Sequence, residues 1–257
     1  MKRLALLSAL MGQVAPARAA TATDLPTDPL GSPMWTYHAE RLFADARVVF
    51  DAQVGLAIPG IAENQRVFPV MVDARAVPDV TRLLIFADLN PIPLAIDYRP
   101  LAARAFLATR IKLDQRTPVR AAVQTRDGTW HVAGQWIDAA GGGCSAPPVS
   151  RVKGDWAEHL GDMRGRTWAE GEETRLRLTL RHPMDTGLVE NIPAYNLETL
   201  RVLGEDGREQ AHVTVSGAVA EDPTFTLLLA GREARYRVIA RDTSGREFEA
   251  LIAGPTP

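Results

Sequence analysis

Cysteine is nearly absent from this chain, which has a single one, Cys144, among 257 residues. One cysteine excludes an internal disulfide, a paired-cysteine redox motif and a haem-attachment motif, because each of them needs two cysteines. The histidine-pair zinc motif, the phosphate-binding loop and the serine-hydrolase elbow are missing as well. The sequence therefore predicts no bound metal, no cofactor and no catalytic residue set.

An excess of charge is also missing, because 29 Lys and Arg nearly balance 31 Asp and Glu. Such a chain lacks the basic surface that nucleic acid attracts. No apolar run is long enough to span a bilayer. The hydrophobic fraction of 46% is nevertheless ample for a core. We expect a folded protein with no nucleic-acid partner and no membrane span.

The N-terminus has the features of a secretory signal peptide. Lys2 and Arg3 precede a short apolar run from Leu4 to Val14, and Ala17-Arg18-Ala19 forms a small-x-small cleavage pattern. This order of charge, apolar run and small residues is typical of export, with a helix of the folded domain as the alternative. We predict a signal peptide over residues 1–19 and a periplasmic location.

The first half of the mature chain reads as a short helix followed by strands. Ser32-Pro33 suits a helix start, and aromatic and leucine residues follow at helical spacing. Short apolar runs rich in β-branched residues then alternate with prolines up to residue 139. Arg126-Asp127-Gly128 between two such runs indicates a hairpin. Residues 32–146 are therefore predicted to form one β-sandwich domain.

A second block of strands follows a predicted linker at residues 147–169, which we expect to hold one helical turn at Trp156 to Leu160. The run Arg175 to Arg181 alternates leucines with polar residues, the pattern of a half-buried strand. Turn signals at residues 204–207 and 243–245 separate further alternating runs. Residues 170–257 are predicted to form a second sandwich, so the fold class is all-β with two tandem sandwich domains.

Cys144 follows three consecutive glycines, Gly141, Gly142 and Gly143, at the junction of these blocks. A thiolate is a strong nucleophile and can hold a passenger group covalently. Glycines permit many backbone conformations and remove bulk, so they suit a flexible arm. A plain linker, or a buried cysteine acting as a small hydrophobic residue, is the alternative. We predict an exposed thiol that serves as a covalent attachment site.

A thiol enzyme would need a base beside Cys144, usually a histidine. The sequence alone places none of the histidines there, and a flexible glycine run positions a nucleophile poorly. The candidates are His38, His131, His159, His182 and His212. We therefore predict a protein that is not an enzyme.

The glycine-cysteine run resembles the carrier arm of SoxY, the sulfur-oxidation carrier, and the second block resembles its partner SoxZ. His182 to Leu188 is similar to the His-Pro-Met-Glu-Thr-Gly segment of that partner. Further segments that resemble SoxZ follow in the expected order: Ile192 to Tyr195, Asp222 to Phe225 and Asp242 to Gly245. Other segments resemble the SoxYZ-like carriers associated with quinoprotein dehydrogenases: Val67 to Val70, Ile96 to Pro100, Ala108 to Lys112 and Trp130 to Val132.

The resemblance implies a SoxYZ fusion with immunoglobulin-like domains that carries oxidised sulfur on Cys144 between periplasmic redox enzymes. These would be haem-containing sulfur-oxidation enzymes or a quinoprotein dehydrogenase. The chain departs from the family where Ser145-Ala146-Pro147 replaces trailing glycines and where a second block follows the cysteine. A loop tethered at both ends reaches less far than a free tail. The alternative function is a non-catalytic scaffold or binding module for a periplasmic dehydrogenase.

Overall fold

The computed structural model describes residues 25–256, so the predicted signal peptide lies outside the described residues. The predicted short helix is present as α1 (Trp35–Phe43), which begins just after Pro33. Trp35, Ala39 and Phe43 are buried at four-residue spacing, which gives α1 one apolar face. That face packs in a small aromatic cluster with Phe86 and Trp130. Within the described chain, no helix is long and apolar enough to cross a bilayer.

The first half of the chain continues with short strands separated by turns. Prolines and glycines interrupt the pairing between them, as their restricted or permissive backbones require. The strands are β1 (Val48–Phe50), β2 (Gly55–Ala57), β3 (Ile61–Ala62), β4 (Phe68–Asp73), β5 (Val80–Ala87), β6 (Leu94–Arg99), β7 (Ala103–Ile111), β8 (Thr117–Thr125) and β9 (Trp130–Ala139).

The second half contains one further helix and seven strands. They are α2 (Val149–Lys153), β10 (Met163–Glu170), β11 (Glu173–Leu180), β12 (Leu197–Leu203), β13 (Glu209–Val215), β14 (Thr224–Leu229), β15 (Arg235–Asp242) and β16 (Glu247–Ala253). Along β11, Leu176, Leu178 and Leu180 are buried, whereas Arg175 and Arg177 are exposed and Thr179 is half-buried. The alternation predicted from the sequence is confirmed there.

The strands form two sheets that both cross the two halves of the chain. The larger sheet has the order β1-β9-β8-β5-β6-β13-β12-β15-β16, with β3 beside β9, and the other has the order β10-β11-β14-β7-β4-β2. In the larger sheet β6 pairs with β13, and in the smaller sheet β7 pairs with β14. The predicted all-β sandwich fold is confirmed.

Turns predicted from the sequence join neighbouring strands. Residues 126–128 connect the antiparallel pair β8–β9, residues 204–207 connect β12–β13, and residues 243–245 connect β15–β16. Residues 156–161 form hydrogen-bonded turns, as the expected single turn at residues 156–160 suggests, but the helix of this segment lies earlier, at α2. Pro148 precedes α2, and the carboxylate of Glu221 accepts bonds from the N–H groups of Val149 and Ser150. These contacts satisfy two otherwise unpaired donors and fix the helix start there.

One hydrophobic cluster runs through both halves between the sheets. It joins residues such as Leu107 and Ile111 of β7 to Leu227 of β14 and Val213 of β13. The halves therefore share a core as well as their sheets. Strand β10 begins inside the span predicted as a linker and ends one residue beyond it. The residue boundaries of the two predicted domains stay a prediction.

A buried arginine clamps the segment before α1 onto the first half. Arg120 is completely buried, and its guanidinium donates to both carboxylate oxygens of Asp28 and of Asp88. It also lies over the ring of Trp35, 4.7 Å from the ring centroid. A buried guanidinium is tolerated only when its donors are paired, so the carboxylates are essential to this packing.

Candidate functional site: the cysteine loop

Cys144 lies in the loop between β9 and α2, which we call the cysteine loop, residues 140–148. The loop crosses the segment that directly follows β7, Lys112 to Asp114. The amide of Gly143 donates to the carbonyl of Leu113 at 3.1 Å, and the side chain of Gln65 donates to the carbonyl of Gly141 at 3.0 Å. These bonds hold the glycine run against the sheet end.

The glycines are needed for close packing and for backbone geometry. A Cβ at Gly143 would lie 2.4 Å from the carbonyl oxygens of both Gln65 and Leu113, closer than any real contact. Gly141 has a φ of +105°, which a side chain would strain, and a Cβ there would lie 2.8 Å from the carbonyl of Asp114. The glycines therefore allow the backbone of the cysteine loop to pack directly against the backbones of Gln65 and Leu113.

The thiol is buried: Cys144 retains 1% of its exposure. This differs from the exposed thiol that the glycine run predicts. The close approach of Gly143 draws the next residue inward, and the sulfur comes to 4.0 Å from the carbonyl oxygen of Lys112. The assignment of Cys144 as the attachment residue and of Gly141, Gly142 and Gly143 as a flexible arm stays a prediction.

Asp114 fastens the loop beside the sulfur. One of its carboxylate oxygens accepts bonds from the amide of Cys144 at 3.0 Å, the amide of Ser145 at 3.1 Å and the hydroxyl of Ser145 at 3.0 Å. Bonds to an ionised carboxylate are stronger than those to neutral acceptors. Asp114 therefore holds the loop closed over the thiol, from a position that water also reaches.

The second half of the chain completes the site. The hydroxyl of Thr186, in the His182 to Leu188 segment, donates to the carbonyl of Cys144 at 2.7 Å. Its neighbour Asp185 is buried and pairs with Arg151 of α2. The segment from His182 to Leu188 singled out from the sequence is thus in direct contact with the cysteine loop.

Lys112 lies beneath the loop with its side chain buried to 5% exposure. Its ammonium donates to the carbonyl oxygens of Met184 and Gly217, the latter at 2.9 Å. Burial lowers the pKa of Lys112 to about 8, against the opposing influence of negative charge at Cys144, Asp185 and Glu221. The buried ammonium of Lys112, whose backbone carbonyl contacts the thiol, is the main buried charge of this segment.

The electrostatics keep the closed thiol protonated. Burial raises the pKa of Cys144 to about 12; the charge of Lys112 opposes this rise and that of Asp114 adds to it. Because the thiolate is the reactive form, a thiol with this pKa is inert at neutral pH. With 1% exposure and this raised pKa, the sulfur in the closed loop is shielded from reagents.

None of the chain's five histidines, all of which lie in the described range, hydrogen-bonds to Cys144. His38 contacts the carbonyl of Asp88, His131 pairs with Asp51, His159 with Asp162 and His212 with Glu209. The remaining one, His182, is buried and accepts a bond from the amide of Met184. Burial lowers its pKa to about 4, so it is neutral.

Sequence reasoning did not find Asp114, Thr186 and Lys112 as parts of this site. Lys112 and Thr186 lie within segments that resemble the carrier family, but no spacing links either of them to Cys144. Asp114 had no signal beyond its place at a strand end. Thr186 reaches the loop because the two halves pack together, with β6 paired to β13 and β7 paired to β14. Lys112 and Asp114 directly follow β7, in the same half of the chain as Cys144.

Comparison with known proteins gives one family match. Residues 39–144 match the family model of the sulfur oxidation protein SoxY. The matched range begins within α1 and ends at Cys144 itself. No curated protein sequence matches the chain.

Two solved structures show limited likeness to the chain. The sulfur carrier protein SoxY from Chlorobium limicola f thiosulfatophilum is 20% identical with a TM-score of 0.37, over 41% of this chain and 94% of that one. A β-glycosidase from Bacteroides vulgatus is 13% identical with a TM-score of 0.24, over 85% of this chain and 26% of that one. At these scores, neither likeness carries a functional argument.

Proposed function

We propose that this protein is a periplasmic carrier that holds a sulfur intermediate, or a related group, covalently on Cys144. It passes this group between partner enzymes without catalysing a reaction of its own. The partners are periplasmic redox enzymes, either haem-containing sulfur-oxidation enzymes or a quinoprotein dehydrogenase. The match of residues 39–144 to the SoxY family, which ends on the cysteine, is the observation that carries this proposal.

The composition of the site supports storage rather than catalysis. Cys144 is the chain's single thiol, and no histidine is bonded to it as a base. The side chains that hydrogen-bond to Cys144 itself, those of Asp114 and Thr186, bond to its backbone amide and carbonyl and not to its sulfur. A carrier needs a thiol that partners can activate, whereas an enzyme would have to activate it within its own site.

Transfer of the attached group to a partner enzyme requires the cysteine loop to move away from the segment that follows β7. The bonds that hold Cys144 and Ser145 go to one carboxylate oxygen and one hydroxyl, and water can replace each of them. The following segment is fixed more firmly, because Arg66 donates to the carbonyl of Pro147 and Glu221 holds the start of α2. We infer that the loop opens between the glycines and Pro147. Because both ends of this segment stay bound, Cys144 moves only a short distance.

A scaffold or binding module for a periplasmic dehydrogenase is the second candidate. The deep burial of Cys144 favours it, because an incidental cysteine is commonly a small buried hydrophobic residue. In that case the sandwich surfaces would serve the partner and the sulfur would have no role.

Replacement of Cys144 separates the two candidates. Cys144→Ser keeps nearly the same size and exchanges a weakly polar thiol for a hydroxyl, so the fold is expected to persist. In cells that depend on the pathway, the carrier function predicts complete loss of substrate oxidation, and the scaffold function predicts wild-type oxidation. The double variant Cys144→Ser/Ser145→Cys keeps one thiol one residue away at an exposed position, and tests whether the position of the sulfur matters.

A further inference from the structure

The outer face of the smaller sheet has two arginines that lie directly opposite each other. Because the leucines of β11 are buried, Arg177 between them lies on the outer face, where it is exposed. Arg166 of β10 is opposite Arg177 in the antiparallel register and is exposed as well. Within the part of the chain that the structure describes, neither guanidinium pairs with a carboxylate. Like charges directly opposite each other destabilise a sheet, so this pair opposes folding.

Arg110 of β7 adds a third positive charge to the same face. Arg177 lies opposite Thr226 of β14, and Thr226 lies opposite Ala108 of β7. Arg110 follows Ala108 by two residues and therefore shares its face. Its guanidinium donates to the hydroxyl of Thr224 at 2.6 Å, while its Nε is buried and has no partner among the described residues. Burial lowers the pKa of Arg110, and the positive charge of Arg177 adds to this effect.

The carboxylates on the outer faces of these strands are already paired with other arginines. Glu170 pairs with Arg175, Glu173 with Arg104 and Asp73 with Arg75. Charged residues commonly protect an edge strand from pairing with another chain, and β10 is an edge strand. That role accounts for Arg166 only, because β7 and β11 lie inside the sheet. The charges of Arg110 and Arg177 therefore need another explanation.

Small and apolar side chains lie beside these arginines. Thr226 and Ala108 are small and half-buried, so they form a shallow floor. Met71 borders this floor on β4 and is 40% exposed, and Trp168 on β10 is 38% exposed. The guanidinium of Arg166 lies 5.2 Å from the ring centroid of Trp168. Tryptophan, methionine and arginine are the residues enriched where proteins bind each other.

We propose that this surface, which we call the arginine face and define by Arg110, Arg166, Arg177, Trp168 and Met71, is the docking surface for an acidic protein. Carboxylates of that protein would accept paired hydrogen bonds from the free guanidinium groups, a geometry that arginine fits well. Apolar side chains next to those carboxylates would cover the exposed tryptophan and methionine.

A protein partner fits this face better than an anionic membrane does. The ion-paired carboxylates of Glu170, Glu173 and Asp73 lie on the same face. A uniformly anionic lipid surface would bring phosphate groups against these carboxylates as well as against the arginines. A protein surface can place its acidic groups opposite the arginines alone.

This inference goes beyond the function proposed for Cys144. Within the described chain, no side chain of the arginine face is hydrogen-bonded to the cysteine loop. The face also includes strands from both halves, since Arg110 and Met71 belong to the first half and the other three residues to the second. Docking on it therefore requires the paired halves and does not require a thiol.

A labelled oligoglutamate peptide tests the arginine face on the purified protein, with binding followed by fluorescence anisotropy at low ionic strength. Arg166→Gln/Arg177→Gln removes two charges from the face. Arg126→Gln/Arg208→Gln removes two charges from exposed turns, after β8 and after β12, and is the control matched in net charge. We expect the first double variant to bind the peptide about fivefold more weakly than wild type, and the control to bind nearly as wild type does.

Three results would overturn the proposal. The first is equal weakening by both double variants, which would show a response to net charge alone. The second is an absence of peptide binding by the wild type at low ionic strength, where charge attraction is least screened. The third is flotation of the wild type, but not of Arg166→Gln/Arg177→Gln, with phosphatidylglycerol vesicles, which would assign the face to a membrane.

The stability of the free protein gives a second readout. Arg177→Gln removes the charge that lies opposite Arg166, so we expect a higher urea midpoint of unfolding together with weaker peptide binding. A residue kept for folding alone would show a lower midpoint when replaced. A lower midpoint for Arg177→Gln would therefore contradict the unneutralised repulsion on which the proposal depends.

Discussion

Removal of the Asp114 carboxylate should release the cysteine loop. Asp114→Ala deletes the oxygen that accepts three hydrogen bonds from Cys144 and Ser145. Each such bond stabilises the closed state by about 0.5–1.5 kcal/mol net. Because Ser145 is exposed, its two bonds count at the lower end. The total is about 2 kcal/mol, which corresponds to about a 30-fold increase in the population of the open loop.

Alkylation of Cys144 by iodoacetamide measures this population. When opening and closing are fast relative to alkylation, the rate equals the open fraction multiplied by the rate for a free thiol. We expect Asp114→Ala to react about 30-fold faster than wild type. Asp114→Asn keeps an acceptor oxygen without its charge and should react about 5-fold faster, since charge-assisted bonds are roughly twice as strong.

A control and a stability measurement complete this test. Asp138→Ala removes an exposed carboxylate that pairs with Arg116 near the start of the same loop, and it should leave the alkylation rate unchanged. Urea unfolding of each variant excludes global destabilisation as the cause of faster labelling. If Asp114→Ala reacts at the wild-type rate, Asp114 does not hold the loop, and the closed state has another origin.

Two further predictions concern the packing that seats the site. Gly143→Ala should displace the loop, because its Cβ would lie 2.4 Å from two carbonyl oxygens; we expect faster alkylation of Cys144, and a wild-type rate would show that the close approach is not required. Asp28→Ala should lower the free energy of unfolding by about 3 kcal/mol at pH 7, because it leaves the buried Arg120 partly unpaired. It should not change the rate at which Cys144 is alkylated. Although burial raises the pKa of Asp28, bonds from Arg120, Ser32 and Leu30 outweigh it and leave this pKa below its usual 3.8. The stability contributed by this lowered pKa is present above pH 3.8 and is lost as the pH falls through the folded value. The free energies of unfolding of the variant and the wild type, measured in urea, should therefore converge at strongly acidic pH. An equal difference between them at all pH values would contradict a stabilising pair between Asp28 and Arg120.

The local elements of this fold could be predicted from the sequence, and the closed site could not. The alternation from Arg175 to Arg181 and the turn at Arg126-Asp127-Gly128 depend on neighbouring residues, so periodicity and turn chemistry suffice. The burial of Cys144 depends instead on Gln65 and Leu113, whose carbonyls leave no room for a side chain at Gly143. Flexibility and close approach both favour glycine, so the sequence cannot distinguish between them.

The pairing of strands between the two halves of the chain could not be predicted from the sequence pattern of the individual strands either. Strands β6 and β7 show ordinary alternation, which does not specify that their partners lie in the second half of the chain. That pairing brings Thr186 to the carbonyl of Cys144 and places Met184 over Lys112. Long-range pairing of this kind follows from the whole core rather than from any segment.

The mass of Cys144 in protein purified from the periplasm of growing cells tests the central claim most directly. Intact-mass and peptide analysis under non-reducing conditions, on cells grown with and without candidate substrates, should show an added group on Cys144 that phosphine removes. The carrier account predicts that this group appears with substrate and accumulates when downstream enzymes are deleted. A Cys144 that is always the free thiol, in every growth condition and in every deletion strain, would contradict it.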